Sequence, residues 1–332
     1  MQNKVYITTI KQISAQQPLV DDWFEQPVCY SEPYVRALEP DYKKFFTPNE
    51  ARRLGKILKR ALLVSRQAIS ECGVPDAIIT GTGLGCIEST EIFLDKLVRE
   101  GEELLNPTHF MQSTHNTISS LVAIDAKCYA YNSTYAHKGI SFECALQDAF
   151  MQCRDAINCV STVLVGAHDE MTPAYFTLLK KAGYLGKPNQ TFAGETAVAM
   201  MLSTEKTEKT LCEIEAVQKN YGLQNFDKVN QFDGIDAVMV GINGVEENDK
   251  IYRENCAQLF PNIPLLQYKN IFGEGYTAPA LGVYAAAVCL QKGKIPDHLL
   301  LNTKENIFPL RKILCYNHFE GKNHTFILLS KC

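Results

Sequence analysis

The chain has 332 residues, 46% of them hydrophobic, enough to bury a large core in one large or two ordinary domains. A formal net charge of −4 and a pI near 6.0 exclude the basic excess that a nucleic-acid or anionic-membrane surface requires. No apolar run approaches the roughly 18 residues of a membrane span, and MQNKVYITTI moves straight into a β-rich run without a basic or apolar leader, so the chain reads as cytoplasmic.

Val5 to Ile10 alternates as a strand does, and the aperiodic segment that follows, to about Tyr42, reads as a covering or partner-facing loop. Asn49 to Cys72 predicts one long helix. Leu54, Ile57, Leu58, Ala61, Leu62 and Ser65 form its apolar stripe, Arg and Lys its other face, and Gly73 its stop. Ala77 to Thr80 predicts a buried strand entering Gly81-Thr-Gly-Leu-Gly85, with a helix from Ser89 to Arg99. That glycine turn lacks the third glycine of a dinucleotide fingerprint and the Gly-Lys-Ser/Thr ending of a P-loop, so close packing or a sharp turn explains it better.

Tyr131 to Phe150, YNSTYAHKGISFECALQDAF, reads as a polar turn feeding a helix. Ser141 is the expected cap, with Phe142, Ala145, Leu146 and Ala149 at helical spacing and Glu143 and Asp148 on the wetter side. Residues ahead of such a helix meet unpaired N–H groups and the positive dipole end, where enzymes place nucleophiles. The turn offers Ser133, Thr134, His137, Lys138, Gly139 and Ser141, while Cys144 lies a turn inside the helix. A structural loop capped by Ser141 accounts for the same residues.

Val160 to Val165 predicts a strand running into Gly166-Ala-His-Asp-Glu170, where His168 is an acid–base partner of Asp169 or, more simply, a hydrogen-bonded structural histidine. Thr196 to Ser203 is a further strand, and the charged Ser203 to Thr210 a solvated connection, which divides the chain into halves 1–205 and 206–332. The second half repeats the alternation. Strands are expected at Leu211 to Val217, Asp236 to Gly241, Ile313 to Phe319 and Thr325 to Leu329, and helices at Asp249 to Leu259 and Tyr276 to Leu290. Such alternation predicts an α/β protein with layered sheets. The 12 cysteines form no CxxC pair or ligand-spaced cluster with histidine, so no metal site is expected, and Cys153, Cys159, Cys289 and Cys315 read as small hydrophobes.

Four blocks in order, Ala77 to Cys86, Cys153 to Glu170, Gln267 to Gly282 and Cys315 to Leu329, resemble the β-ketoacyl-acyl-carrier-protein synthases of the thiolase fold. The likeness covers nearly the whole chain and is nearest to the chain-length-factor subunits of type II polyketide and aryl-polyene systems. It implies two similar βαβαβαββ halves in a layered α-β-α-β-α core. The family uses a cysteine nucleophile and two histidines. Laid on that pattern, the nucleophile position falls at or near Gly139, with His137 and Ser141 two residues to either side. Asn243, followed by Gly244, stands for the first histidine and Glu274 for the second. Lys269 is retained, and Phe142, Phe319 and Gly321 are assigned to substrate binding.

The resemblance therefore implies a degenerate acyltransferase-family subunit without condensing activity of its own, paired with an active ketosynthase in fatty-acid or polyketide-type biosynthesis. It implies no bound cofactor, but a partner acyl carrier protein bearing phosphopantetheine. Two rivals share the fold. One is an acyltransferase or hydrolase using Glu274, Lys269, His137 and a loop serine, Ser141 or Ser133, and it requires Glu274 in an apolar pocket rather than held by Lys269. The other is a homodimeric binding protein for acyl or carrier-protein ligands.

Overall fold

A computed structural model describes residues 2–102, 105–222, 232–302 and 309–332. In chain order the elements are β1 (Val5–Ile13), α1 (Pro48–Arg53), α2 (Lys56–Cys72), β2 (Ala77–Gly81), α3 (Ile87–Glu100), α4 (Pro107–Gln112), α5 (Thr117–Ala126), β3 (Tyr131–Tyr135), α6 (Ser141–Arg154), β4 (Thr162–Asp169), α7 (Pro173–Lys181) and β5 (Thr196–Ser203). The second half holds β6 (Cys212–Tyr221), β7 (Ala237–Val240), α8 (Glu246–Leu259), β8 (Leu265–Gln267), α9 (Lys269–Phe272), α10 (Pro279–Lys292), β9 (Lys312–Phe319) and β10 (Asn323–Ser330).

The strands lie in the order β3-β2-β4-β5-β1-β6-β10-β9-β7-β8. Read outward from the middle, the two halves repeat one plan. β2 pairs parallel with β3 and β4, as β7 does with β8 and β9. The pairings β4/β5, β5/β1, β9/β10 and β10/β6 are antiparallel. Between the named strands of the two halves, Val5 to Ile7 of β1 pairs with Cys212 to Ile214 of β6, and an isolated bridge joins Ala193 to Glu274.

Side-chain alternation along each strand then separates three cores. On β2, Ile78 faces an outer cluster with Leu63 and Val64 of α2 and Val122 of α5, whereas Ala77 and Ile79 face the central cluster. On the other outer face Val238 and Leu314 meet Tyr252 and Cys256 of α8. α6 and α10 occupy the space between the two half-sheets, contributing Phe142, Ala145 and Leu146, and Ala280, Leu281 and Val283, to the central cluster. The result is the five-layered α-β-α-β-α arrangement of the thiolase-like fold. β5 ends at Ser203 and β6 begins at Cys212, with an exposed connection between them.

Several expectations change at this level. The single helix over 49–72 is two, because Leu54 takes an extended conformation and Gly55 starts α2 as its cap. Arg60 does not lie on a wet face: it is buried and bridges Glu39 (2.5 Å) and Glu195 (2.9 Å). Tyr131 to Tyr135 is not turn but the edge strand β3, polar because one long side of it faces away from the sheet. Thr82 and the backbone N–H groups of Gly83 and Leu84 all donate to the Asp169 carboxylate at the end of β4, so the glycine turn wraps a buried side chain of its own protein. The aperiodic N-terminal segment covers α9 and α10, with buried Trp23 donating its indole N–H to the Tyr284 hydroxyl at 2.9 Å.

Candidate active site

α6 begins where the chain leaves β3 through a tight 3₁₀ turn, Lys138–Ile140. Lys138 sits there at φ +48°, a left-handed conformation rare for a side-chain-bearing residue. Ser141 is not the N-cap, which is Ile140, but the first helical residue. Its hydroxyl accepts from the His137 N–H and donates to the Lys138 carbonyl, both at 2.7 Å, so its proton is committed to the turn. Gly139 is buried directly under Phe319, and a Cβ at this position would overlap that ring. Phe319 in turn lies 6.1 Å edge-on from Tyr276. Gly321 belongs to the β9–β10 turn, where Glu320 (φ +53°) and Gly321 (φ +64°) are both left-handed. Phe142, expected on the substrate side, is instead wholly buried in the central core, because α6 has a sheet on each side.

The positions assigned to the two family histidines and the lysine do converge. Asn243 follows β7, donates from Nδ2 to Glu274 Oε2 at 2.6 Å and accepts the Val245 N–H on Oδ1. Lys269, at the start of α9, reaches both carboxylate oxygens of Glu274 at 2.9 and 3.0 Å. The Gly275 N–H donates to Oε1 at 3.0 Å. A carboxylate has about four acceptor positions, and these donors fill them, so Glu274 retains no lone pair for a substrate proton. The side chains of Lys269 and Glu274 are 7% and 17% exposed, so the lysine is buried and the carboxylate partly buried. His137 and Ser133 do not join this group. His137 is exposed and lines a separate cavity that includes none of Asn243, Lys269 and Glu274, and Ser133 lies on β3.

Beneath the turn lies a residue that sequence reasoning misplaced. Glu143, expected on the wet face of α6, has no exposed surface. Its Oε1 accepts from Asn317 Nδ2 (2.7 Å) and Thr325 Oγ1 (3.1 Å), and its Oε2 has no partner among the described residues. Asn317 links onward to the Tyr252 hydroxyl at 2.8 Å and to the Gly139 carbonyl at 3.3 Å. Loss of solvent pushes the Glu143 carboxyl up to about 7, with the two side-chain donors pulling the other way.

A carboxyl raised on folding holds its proton in the native state after the unfolded chain, titrating near 4.3, has lost its own. Glu143 therefore contributes stability below about pH 4.5 that is lost as pH rises through about 7, a linkage of order 3 kcal/mol. Glu170, also pushed up to about 7 by burial, adds to the same slope. Glu143→Gln keeps an oxygen for Asn317 and Thr325 and is expected to flatten part of the fall in Tm between pH 5 and 8. An unchanged slope would show that Glu143 stays ionised throughout.

His168 also departs from expectation. It is buried, both ring nitrogens lack partners among the described residues, and burial drives it down to about 3, so it is a neutral core imidazole rather than a hydrogen-bonded one. Among the described residues no cluster of His, Cys, Asp or Glu could hold a metal ion, and no helix is long and apolar enough to cross a membrane.

Comparison with known proteins places these observations. Among curated proteins none matches the chain. Solved structures superpose over its length. The ishigamide ketosynthase/chain length factor matches at 15% identity and TM-score 0.82, covering 100% of each chain. The type II PKS complex AntDE:AntF, an acyl-carrier protein with its ketosynthase bound to the hexaketide, matches at 13% and 0.78, again over 100% of each chain. The ketosynthase ApeO in complex with its chain length factor ApeC from Xenorhabdus doucetiae matches at 15% and 0.78, over 99% of this chain and 98% of that one. At such identities the likeness is one of fold. A model of the β-ketoacyl synthase N-terminal domain matches residues 25–242, well over half of the sequence, and the chain belongs to the β-ketoacyl synthase family.

Proposed function

We propose that the chain is a non-condensing, chain-length-factor-like subunit that pairs with an active ketosynthase and shapes its acyl product, with the phosphopantetheine of an acyl carrier protein delivering the chain to that partner. One observation carries the reading: the three family positions hold a glycine under Phe319, an asparagine spent on Glu274, and a glutamate saturated by Lys269, Asn243 and Gly275. The glycine offers no nucleophile for an acyl chain, and the Asn243 amide and the Lys269 ammonium are turned to the Glu274 carboxylate in place of a pair of imidazoles. The rival with altered chemistry needs a free Glu274 and a free loop hydroxyl beside it; Lys269 holds the first, Ser141 is committed to Lys138, and Ser133 lies on β3 outside the Glu274 group.

A surface suited to a partner supports the same reading. β8, at one end of the sheet, is covered by an antiparallel bridge from Leu266 to Leu300, whereas among the described residues β3 at the other end pairs only with β2. Beside this edge α5 packs on β2 and β3 and leaves Ile124 exposed, and α3 and α4, which pack on each other, expose Leu94, Val98, Phe110 and Met111.

The test is co-expression with a ketosynthase from the same source, followed by intact-mass measurement after incubation with acyl- and malonyl-loaded carrier proteins. The expected result is a stable one-to-one complex with no acyl adduct on this chain. An adduct on this chain alone that disappears in Ser141→Ala would overturn the reading in favour of altered chemistry. The double substitution Val98→Asp with Ile124→Asp is expected to weaken the complex at least ~10-fold in titration calorimetry while leaving Tm nearly unchanged, since both side chains are exposed.

A further inference from the structure

A cavity of about 480 Å³ lies between the end of β3, the first turn of α6 and the tips of β6 and β10. Gly139, Asn243, Lys269 and Glu274 do not line it. Cys144 does. Its Sγ is buried beneath the exposed Lys219 of β6, whose ammonium donates to it at 3.2 Å. Burial, with the neighbouring Glu143, leaves the thiol raised on balance, and the Lys219 hydrogen bond and charge act in the opposite sense. An adjacent ammonium stabilises the attacking thiolate, which distinguishes Cys144 from Cys153, Cys212, Cys289 and Cys315, sealed in the central core.

The rest of the lining says what can enter. Among the described residues Lys219 is its one lysine or arginine and no carboxylate lines it, and His137, Asn220, Asn323 and Thr134 offer polar groups around the mouth. A guest is therefore anionic and amide-rich, and the volume suits a molecule of tripeptide size.

We propose that Cys144 is a thiolation site at which the chain takes up a small anionic thiol from its disulfide. The Cys144 sulfur attacks one sulfur of the incoming disulfide along the S–S axis, forming a new S–S bond as the original one breaks. Cys144 is oxidised and the departing half reduced. That half leaves as a thiolate and takes up the proton Cys144 has released, so the disulfide is the only oxidant required. Neither Cys144 nor Lys219 is among the exposed apolar residues assigned to the partner surface, but Thr134 and Tyr135 of β3 wall the cavity, so thiolation is tested on the chain without a partner and its failure is read apart from that of the pairing.

The test uses the full chain with the exposed Cys29, Cys159 and Cys332 changed to serine. It is incubated with glutathione disulfide or with the cationic disulfide cystamine, and followed by intact mass and peptide mapping. The expected result is one glutathionyl adduct, on Cys144, formed faster than the cystamine adduct. Lys219→Met, which keeps the thiol in place, is expected to slow the glutathione reaction at least ~10-fold and to abolish the preference for the anionic disulfide. The proposal is overturned by the absence of an adduct, by an adduct that survives Cys144→Ser, or by rates indifferent to Lys219→Met. Circular dichroism of each variant confirms that the fold is retained.

Discussion

Replacing Gly139 with cysteine will not give the chain an acyl-accepting thiol; it will destabilise the fold by about 2 kcal/mol. The new Cβ enters the space held by the Phe319 ring, and the turn beneath cannot retreat because Asn317 holds the Gly139 carbonyl from below. Either the ring swings away from Tyr276 or the 3₁₀ turn opens. Urea midpoints measure the cost, and the same substitution in a Phe319→Ala background separates the causes. If overlap with the ring is the origin, the second cost is much smaller and the two changes are strongly non-additive. Equal costs in both backgrounds would place the strain in the backbone of the turn. An acyl adduct on Gly139→Cys with wild-type Phe319 would show that the ring moves freely, and with it the argument for a closed site would fall.

Lys269→Met is expected to be at least as damaging, by about 2–3 kcal/mol, because it leaves the partly buried Glu274 carboxylate without a counter-charge. Methionine fills most of the space of the lysine stem, so the loss reads the charge rather than a cavity. The double variant Lys269→Met with Glu274→Gln is expected to recover most of the stability, since the amide oxygen still accepts from Asn243 or Gly275 and no charge is stranded. Failure of the double variant to recover would assign the loss to packing around α9. This pair of variants also tests the site itself: in a subunit that performs no chemistry, the double variant should retain its effect on the product of a partner ketosynthase.

The fold was legible in the sequence wherever burial wrote a simple pattern. β5 is a run of eight apolar or small residues buried on both faces, and its bounds, Thr196 and Ser203, match the expected ones. The edge strand β3 was not legible, because Tyr131 to Tyr135 lacks an apolar run and carries the polar pattern of a turn. Glu143 was misread for a related reason. Helical periodicity assigns a polar residue to a wet face, and α6, held between two half-sheets, has none at that position. Asn243, Lys269 and Glu274 came into view through family resemblance, but their mutual hydrogen bonds did not, since Asn243 lies 31 positions from Glu274. The Cys144–Lys219 contact, spanning 75 positions, left no local signal at all.

The seam between the half-sheets bears on how the chain is made. β1 leaves the ribosome well before its two neighbours, β5 and β6, so Tyr6 finds its partners only when Ser203 and Glu213 have been synthesised. At about 5–20 residues per second, the first strand stays unpaired for on the order of ten seconds or more. Val5, Ile7 and Ile10, all destined for the central core, are unprotected for that interval. Such non-local pairing makes for slow folding and leaves nascent chains prone to aggregation. Expression yield should accordingly respond to slower translation or added chaperone more than to stabilising substitutions in the finished core.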